Sequence, residues 1–385
     1  VSEPLEHWVS TEPFDPGRTS ARLSKPSTRY LEASQARLFW WRFKRHRLAL
    51  VALVVLAIAY LTVIFAEFIA PYGVATRNTQ HIFMPPQPIH LFHEGQFVGP
   101  FVYDMRGRLD LDTLQRHYTE DERRPRPLRF FCKGEPYRFW GLVEADLHLV
   151  CPPSLGTFFP LGTDRLGRDI ASRLVHGARI SLTVGLVGVA FSFALGLFFG
   201  GIAGYFGGAT DYWIQRVTEI LRSIPQLPLW LALSAALPVT LNPLLVYFGI
   251  TIILALLDWP SLARAVRSKL FSLREEDFTA AAEMMGARPA RIIARHLLPN
   301  FASHLIASAS LSIPTMILAE TALSFLGLGL RPPIVSWGVL LSEAQNIEAV
   351  ALYPWLLMPM LPVMVTVLAF SFLGDGLRDA ADPHG

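Results

Sequence analysis

The chain has 385 residues, 52% of them hydrophobic and 17% charged, with a net charge of +3 and a mean hydropathy of +0.36. Soluble domains average roughly 45–50% apolar and about 25% charged residues, so this balance indicates a membrane protein, and a small net charge on dispersed basic residues argues against nucleic acid. The only lysines are Lys25, Lys44, Lys133 and Lys269, none after Gly or before Ser or Thr, which excludes a P-loop ATPase.

In chain order, residues 1–47 are expected to form a cytoplasmic N-terminal arm. Its first part, Val1 to about Ser34, is polar and Pro-containing, and no secretory signal is legible in it. A bilayer core takes about 20 apolar residues of helix, and Leu48–Ala70 supplies a first span. Trp40, Trp41, Arg42, Lys44, Arg45 and Arg47 mark its inner, interfacial end. Residues 71–179 contain no spanning run and are expected to form a small β-containing insertion outside the membrane, from short alternating runs such as Leu128–Phe131 and Tyr137–Leu142. Cys132 and Cys151 both fall in it, and two readings stay open: a disulfide, or two buried free thiols.

Ser181–Tyr205 reads as the second span. Gly196, Gly200 and Gly204 are in register, which favours close packing of another helix over mere flexibility. A third span is expected over about 218–238 and a fourth over 244–258, interrupted by Pro225, Pro228, Pro238 and Pro243. Residues 259–300 are polar, with Arg264, Arg267, Lys269, Arg274, Arg288, Arg291 and Arg295 exceeding the acids Glu275, Glu276, Asp277 and Glu283. The basic excess places this stretch in the cytoplasm. Spans over 302–320 and 354–373 complete an all-α polytopic membrane protein of about six transmembrane helices, both termini inside.

Within the polar stretch, Ala280, Ala281 and Ala282 make a strong helix with a thin surface. Gly286 permits a bend, and Pro289 suits the first turn of the next helix. Ile292, Ile293 and Leu297 share one side of that helix, with Arg288, Arg291 and Arg295 on another. An elbow gripped by another protein and an amphipathic helix lying on the membrane both accommodate this pattern.

Asp277–Asn300 resembles the EAA loop of ABC importer permease subunits: Ala281, Ala282 and Gly286 occupy its Ala, Ala and Gly positions, and His296-Leu-Leu-Pro-Asn300 its ending. Ala280 stands where the pattern has Glu. Pro160–Ser181, Glu320–Gly329, Ser336-Trp-Gly338 and Leu377–Pro383 resemble dipeptide and oligopeptide permeases of the C-subunit type. The likeness covers the first span and about Pro160 onward, and says little about the insertion.

The resemblance implies a type I importer permease fold in a bacterial inner membrane, forming half of a pathway with a second, homologous permease subunit. It implies two cytoplasmic ATPase subunits that use ATP and Mg, none of it bound by this chain, and a solute-binding protein outside. Ala281, Ala282, Glu283, Gly286, Ala287, Arg288 and Pro289 would be the ATPase-coupling segment. Di- and oligopeptides are the implied cargo, with oligosaccharides, opines and nickel chelates as family alternatives.

Glu320, inside or at the end of a span, is read either as a gate or pathway acid or, the preferred reading, as a structural carboxylate bonded to the backbone of Gly327–Gly329. Glu67 reads as an interface residue. Asp164, Arg165, Arg168 and Asp169 are expected to pair along a short helix on the outer surface. No metal-ligand spacing and no nucleophile set is legible. A secondary transporter or channel, and a membrane enzyme, are the alternatives from other classes; the first would place charges near the centres of its spans, where almost none are found.

Overall fold

The computed structural model describes residues 34–112, 116–154, 156–238 and 240–381. The arm over 1–33 and the last tail residues, Pro383 among them, lie outside the described residues.

Ser34 caps α1 (Gln35–Arg45), and after His46 the chain enters α2 (Arg47–Ile64). Ala49, Ala52, Leu56 and Val63 form the buried stripe of α2, while Leu48, Val51, Val54, Ile58 and Leu61 are exposed on its other side. A helix apolar all round suits lipid. It breaks at Phe65, and a short turn, α3 (Ala66–Ile69), completes the expected 48–70 run.

The insertion is β-structured. Strands β1 (His90–His93), β2 (Gln96–Leu109) and β3 (Arg116–Pro127) form an antiparallel sheet, and β4 (Arg129–Phe139) pairs with β5 (Val143–Cys151) in a hairpin. Cys132 and Cys151 are joined in a disulfide across that hairpin. Val102, Leu128 and Phe158 form a small core between the sheets. The insertion is tied to the bundle by its hairpin tip: Trp140, held at φ +51°, donates its ring N–H to the Ile64 carbonyl and its amide to Glu67. A positive φ at a bulky residue is uncommon, and here it occurs where the turn meets the end of α2.

Helix α4 (Ile170–Phe206) begins well ahead of the expected start at Ser181, because Asp169 caps it by accepting the Ala171 and Ser172 amides. The insertion therefore ends before residue 170. The expected third span is two helices, α5 (Gly208–Ser223) and α6 (Gln226–Ala235), separated by Ile224 in an extended conformation ahead of Pro225. Helix α7 (Pro243–Arg274) runs far past the expected end at residue 258 and through Pro260, since Leu262, Ala263, Val266 and Leu270 go on packing against α4. The polar elbow thus starts at Glu275, with α8 (Asp277–Met284). Among the later elements are α9 (Ala302–Phe325), α10 (Trp337–Ser342) and α11 (Met360–Ala381), both long ones ending past their expected spans.

Five helical stretches among the described residues are long and apolar enough to cross a membrane: Arg47–Ile64, Ile170–Phe206, Pro243–Arg274, Ala302–Phe325 and Pro354–Ala381. The order of contacts fixes how they run. Along α4, Gly188, Ser192, Gly196, Gly200 and Gly204 meet Thr251, Asp258, Leu262, Ala263 and Leu270 in turn, so α4 and α7 are parallel. The chain between them must return the full height. It does so through α5 and α6, with Asp211 paired to Arg267 at one end and Leu237 against Gly249 at the other. A sixth passage is therefore made in two pieces. Helix α9 runs against α4, with Glu320 beside Ser181 and Ile317 beside Gly185, and α11 runs against α2, with Phe370 near Tyr60 and Gly376 on Ala49. One end of the bundle carries the elbow, and the other carries the insertion.

Candidate functional site

The elbow is a projecting knuckle on a buried base. Glu275 and Glu276 lead out of α7 into α8, whose Thr279 is fully buried and donates to the Leu273 carbonyl. Ala282 is buried too, in one cluster with Leu262, Val266, Leu270, Ile292 and Leu297. The other side of α8 is open: Ala280 and Glu283 are exposed and Ala281 half-buried. Glu283 accepts from the Tyr205 hydroxyl at 2.9 Å, which ties the knuckle to the end of α4.

At the apex Gly286 has φ +75° and nothing within 4 Å of where a Cβ would stand, so its glycine is required by backbone conformation and not by crowding. The Gly286 and Ala287 amides return to the Glu283 and Ala282 carbonyls and close the turn. Arg288 precedes a new helical turn with Pro289 in its first position, followed by a π-helical stretch, Ile292–Leu297. Ile292 and Leu297 are buried, Ile293 is half-buried, and Arg288, Arg291 and Arg295 are exposed, as the sidedness of the sequence anticipates. Met284 and Met285, 83% and 80% exposed, are the most prominent apolar groups of the knuckle, and sequence reasoning passed over them. Their signal was position, directly before the Gly break. Two adaptable thioethers therefore stand exposed on this turn, an apolar pair of the kind that surface contacts use.

The opposite end is closed by buried polar networks. Glu320 is fully buried and accepts from the hydroxyls of Ser181, Ser324 and Ser336 at 3.1, 2.8 and 2.7 Å. Each serine also accepts a backbone amide, from Trp337, Leu330 and Val339 respectively. The carboxylate is therefore structural in its contacts, yet its partners are side chains on α4, α9 and the cap of α10, and not the backbone of Gly327–Gly329. It ties three elements at one point.

Asp164 and Arg168 do pair, at 2.6 Å, but in a tight turn instead of a helix: Asp164 Oδ1 accepts the Leu166 and Arg168 amides. Among the described residues Asp169 pairs with no arginine, since its oxygens are taken by the cap of α4 and the Ser172 hydroxyl, and Arg165 is exposed. Burial pushes the Asp169 carboxyl up to about 6, against the bonds from Ser172 and Ala171 that favour its charged form. The pair extends into a four-membered cluster, in which Arg173 reaches both Asp164 and Glu343, and Arg168 reaches Glu343 at 2.8 Å. Glu67, read as an interface residue, instead takes both terminal nitrogens of Arg179 at 2.7 Å, with Trp140 stacked on the guanidinium at 4.1 Å. Such a fork on a carboxylate is the strong form of an ion pair.

Gly196, Gly200 and Gly204 face α7: a Cβ at Gly200 would fall 2.5 Å from the Ala263 carbonyl oxygen. Asp258, absent from the sequence reading, lies on this seam and accepts from Ser192 at 2.9 Å. It sits roughly midway between the Glu67–Arg179 and Asp211–Arg267 pairs, the level at which a lone acid is costly.

Residues 196–384 match the family model described as binding-protein-dependent transport system inner membrane component, and residues 34–86 match the N-terminal TM domain of oligopeptide transport permease C. The dipeptide transport system permease protein DppC of Lactococcus lactis is 30% identical over 95% of this chain and 94% of its own. The oligopeptide transport system permease protein OppC of Bacillus subtilis is 36% identical over 64% of this chain and 77% of its own. Among solved structures, an inward-facing form of the MetNI methionine ABC transporter overlaps 55% of this chain and 98% of that chain, with 21% identity and a TM-score of 0.44.

Proposed function

Because this chain belongs to the family of binding-protein-dependent transport system inner membrane components, we propose that it forms half of the translocation pathway of an ATP-driven importer of di- or oligopeptides. The elbow carries this reading. It is a projecting turn with an exposed apex at Met284–Gly286 and a base buried against α7, so a push on the apex moves the bundle and not the turn alone.

In this reading the elbow end is cytoplasmic, which agrees with its basic excess, and both termini lie on that side of a bacterial inner membrane. Two ATPase subunits receive Ala281, Ala282, Glu283, Gly286, Ala287, Arg288 and Pro289 in a groove, and they supply the nucleotide and Mg chemistry that this chain lacks the motif to perform. A second, homologous permease subunit completes the pathway. A solute-binding protein delivers cargo to the insertion end. Closure of the ATPases drives the elbow, α7 and the parallel α4 as one body, because the glycine seam lets the two helix backbones touch. The peptide cargo follows from the printed names of the dipeptide and oligopeptide relatives.

The test is co-purification with uptake. Gly286→Trp, which cannot hold φ +75° without strain and adds bulk at the apex, should abolish ATP-dependent peptide uptake in vesicles and release the ATPase, while the chain stays in the membrane. Undiminished uptake with this variant, or full-length protein that extracts without any P-loop ATPase, overturns the coupling role.

A further inference from the structure

At the insertion end, one guanidinium has more donors than partners. Arg173 is 1% exposed, and only its Nη1 is engaged, by Asp164 and by Glu343 at 3.0 Å. Its Nε and Nη2 are buried without a hydrogen-bond partner among the described residues. These two nitrogens form the side edge of the guanidinium, the edge that matches two oxygens of a carboxylate or phosphate. Leaving such buried donors unpaired costs free energy.

The side chain lines a cavity of about 310 Å³, near the lower end of the range of small-molecule sites. Arg77 and Arg168 line it as well, with Ala75 and the wall Pro332–Pro333. Of these cations, Arg168 and Arg173 are balanced by Asp164 and Glu343, whereas Arg77 is exposed and paired with no carboxylate among the described residues. The cavity therefore carries one uncompensated positive charge, and the side chain with the two unfilled donors forms part of its wall.

We propose that this cavity is an oxyanion site, in which one carboxylate or phosphate group lies on the Nε–Nη2 edge of Arg173 with Arg77 closing over it. Two sources present that chemistry: a small anion free in solution, and the phosphate of an anionic lipid headgroup. Arg173 lies six residues, about 9 Å of helix, beyond Arg179 on the side away from the bundle centre, a level that either source can reach.

The test follows the thermal unfolding midpoint of the full chain, purified with the subunits that co-purify with it. In detergent, sodium phosphate and sodium acetate are titrated at ionic strength held constant with chloride. In a parallel arm the protein is placed in nanodiscs of phosphatidylcholine with and without phosphatidylglycerol. A saturable rise with phosphate or acetate supports a soluble anion, and a rise confined to phosphatidylglycerol supports a headgroup. Arg77→Ala should weaken either response about tenfold, the loss of one charge-assisted bond, and Ala75→Trp should remove it by filling the cavity. Both positions are exposed, so these variants fold. Arg173→Lys should remove the response while leaving a cation for Asp164 and Glu343. If no probe raises the midpoint of the wild type, or if Arg77→Ala and Ala75→Trp respond as the wild type does, the site does not exist.

Discussion

The two ends of the bundle are held together by different physics. At the elbow end the base is apolar packing of Ala282, Ile292 and Leu297 on α7, and the projecting Ala280, Met284, Met285 and Gly286 are exposed, while Glu283 is tied back to Tyr205. At the insertion end the buried charged groups are committed. Glu320 binds three serines, Arg173 spans two acids, Arg179 forks on Glu67, and a disulfide closes the hairpin that carries Trp140 toward it. Apolar packing tolerates small sliding, whereas a buried charge network has one good geometry. The contrast suits a molecule gripped at one end and holding its shape at the other.

Mutations can break this contrast, and the largest effect belongs to the charged end. Asp164→Ala leaves Arg173 and Arg168 short of a carboxylate and frees two amides, and should cost about 3–5 kcal/mol, read as a sharp fall of the unfolding midpoint and of membrane yield. An unchanged midpoint would show the network to be ornamental. Next comes the glycine seam. Gly200→Ala forces α4 off the Ala263 backbone and should destabilise by about 1–3 kcal/mol, while Gly201→Ala, whose Cβ meets only Ile293 at 3.4 Å, should be near neutral. Equal effects at the two positions would argue against the parallel α4–α7 contact.

At the elbow the effects on stability shrink. Gly286→Ala places a side chain at φ +75° and should cost about 1–2 kcal/mol, felt locally as faster amide exchange in α8. The smallest stability change is expected from Met284→Ser combined with Met285→Ser, within about 0.5 kcal/mol, although uptake in vesicles should fall severely. A double variant that transports normally would remove the thioethers from the proposed coupling surface.

Much of the fold was legible because membrane insertion and helix signals are local. Apolar runs of sufficient length marked where the long helices lie, Gly286 and Pro289 marked the turn and restart of the elbow, and the Gly196–Gly200–Gly204 register marked a face of close approach. The ends of the helices were less legible. Helix α4 starts at an aspartate cap inside what looked like insertion, α7 continues through a proline, and the third passage is split at Pro225. In each case a neighbour across the bundle, or a cap, decided what hydropathy alone could not.

The sequence by itself determined the solvent of each segment, the position of the elbow and the absence of a phosphate loop, since these depend on residues within a turn or a span of one another. Only the tertiary structure decided which charges meet. Arg173 and Glu343 are 170 residues apart, Glu320 and Ser181 are 139, and Glu67 and Arg179 are 112. No local pattern encodes such pairs. They form because helices packed on apolar and glycine faces bring their ends together, and an ionisable group carried into that interior must find an opposite charge or a hydroxyl there. The unfilled edge of Arg173 is where that search, among the described residues, stopped one partner short.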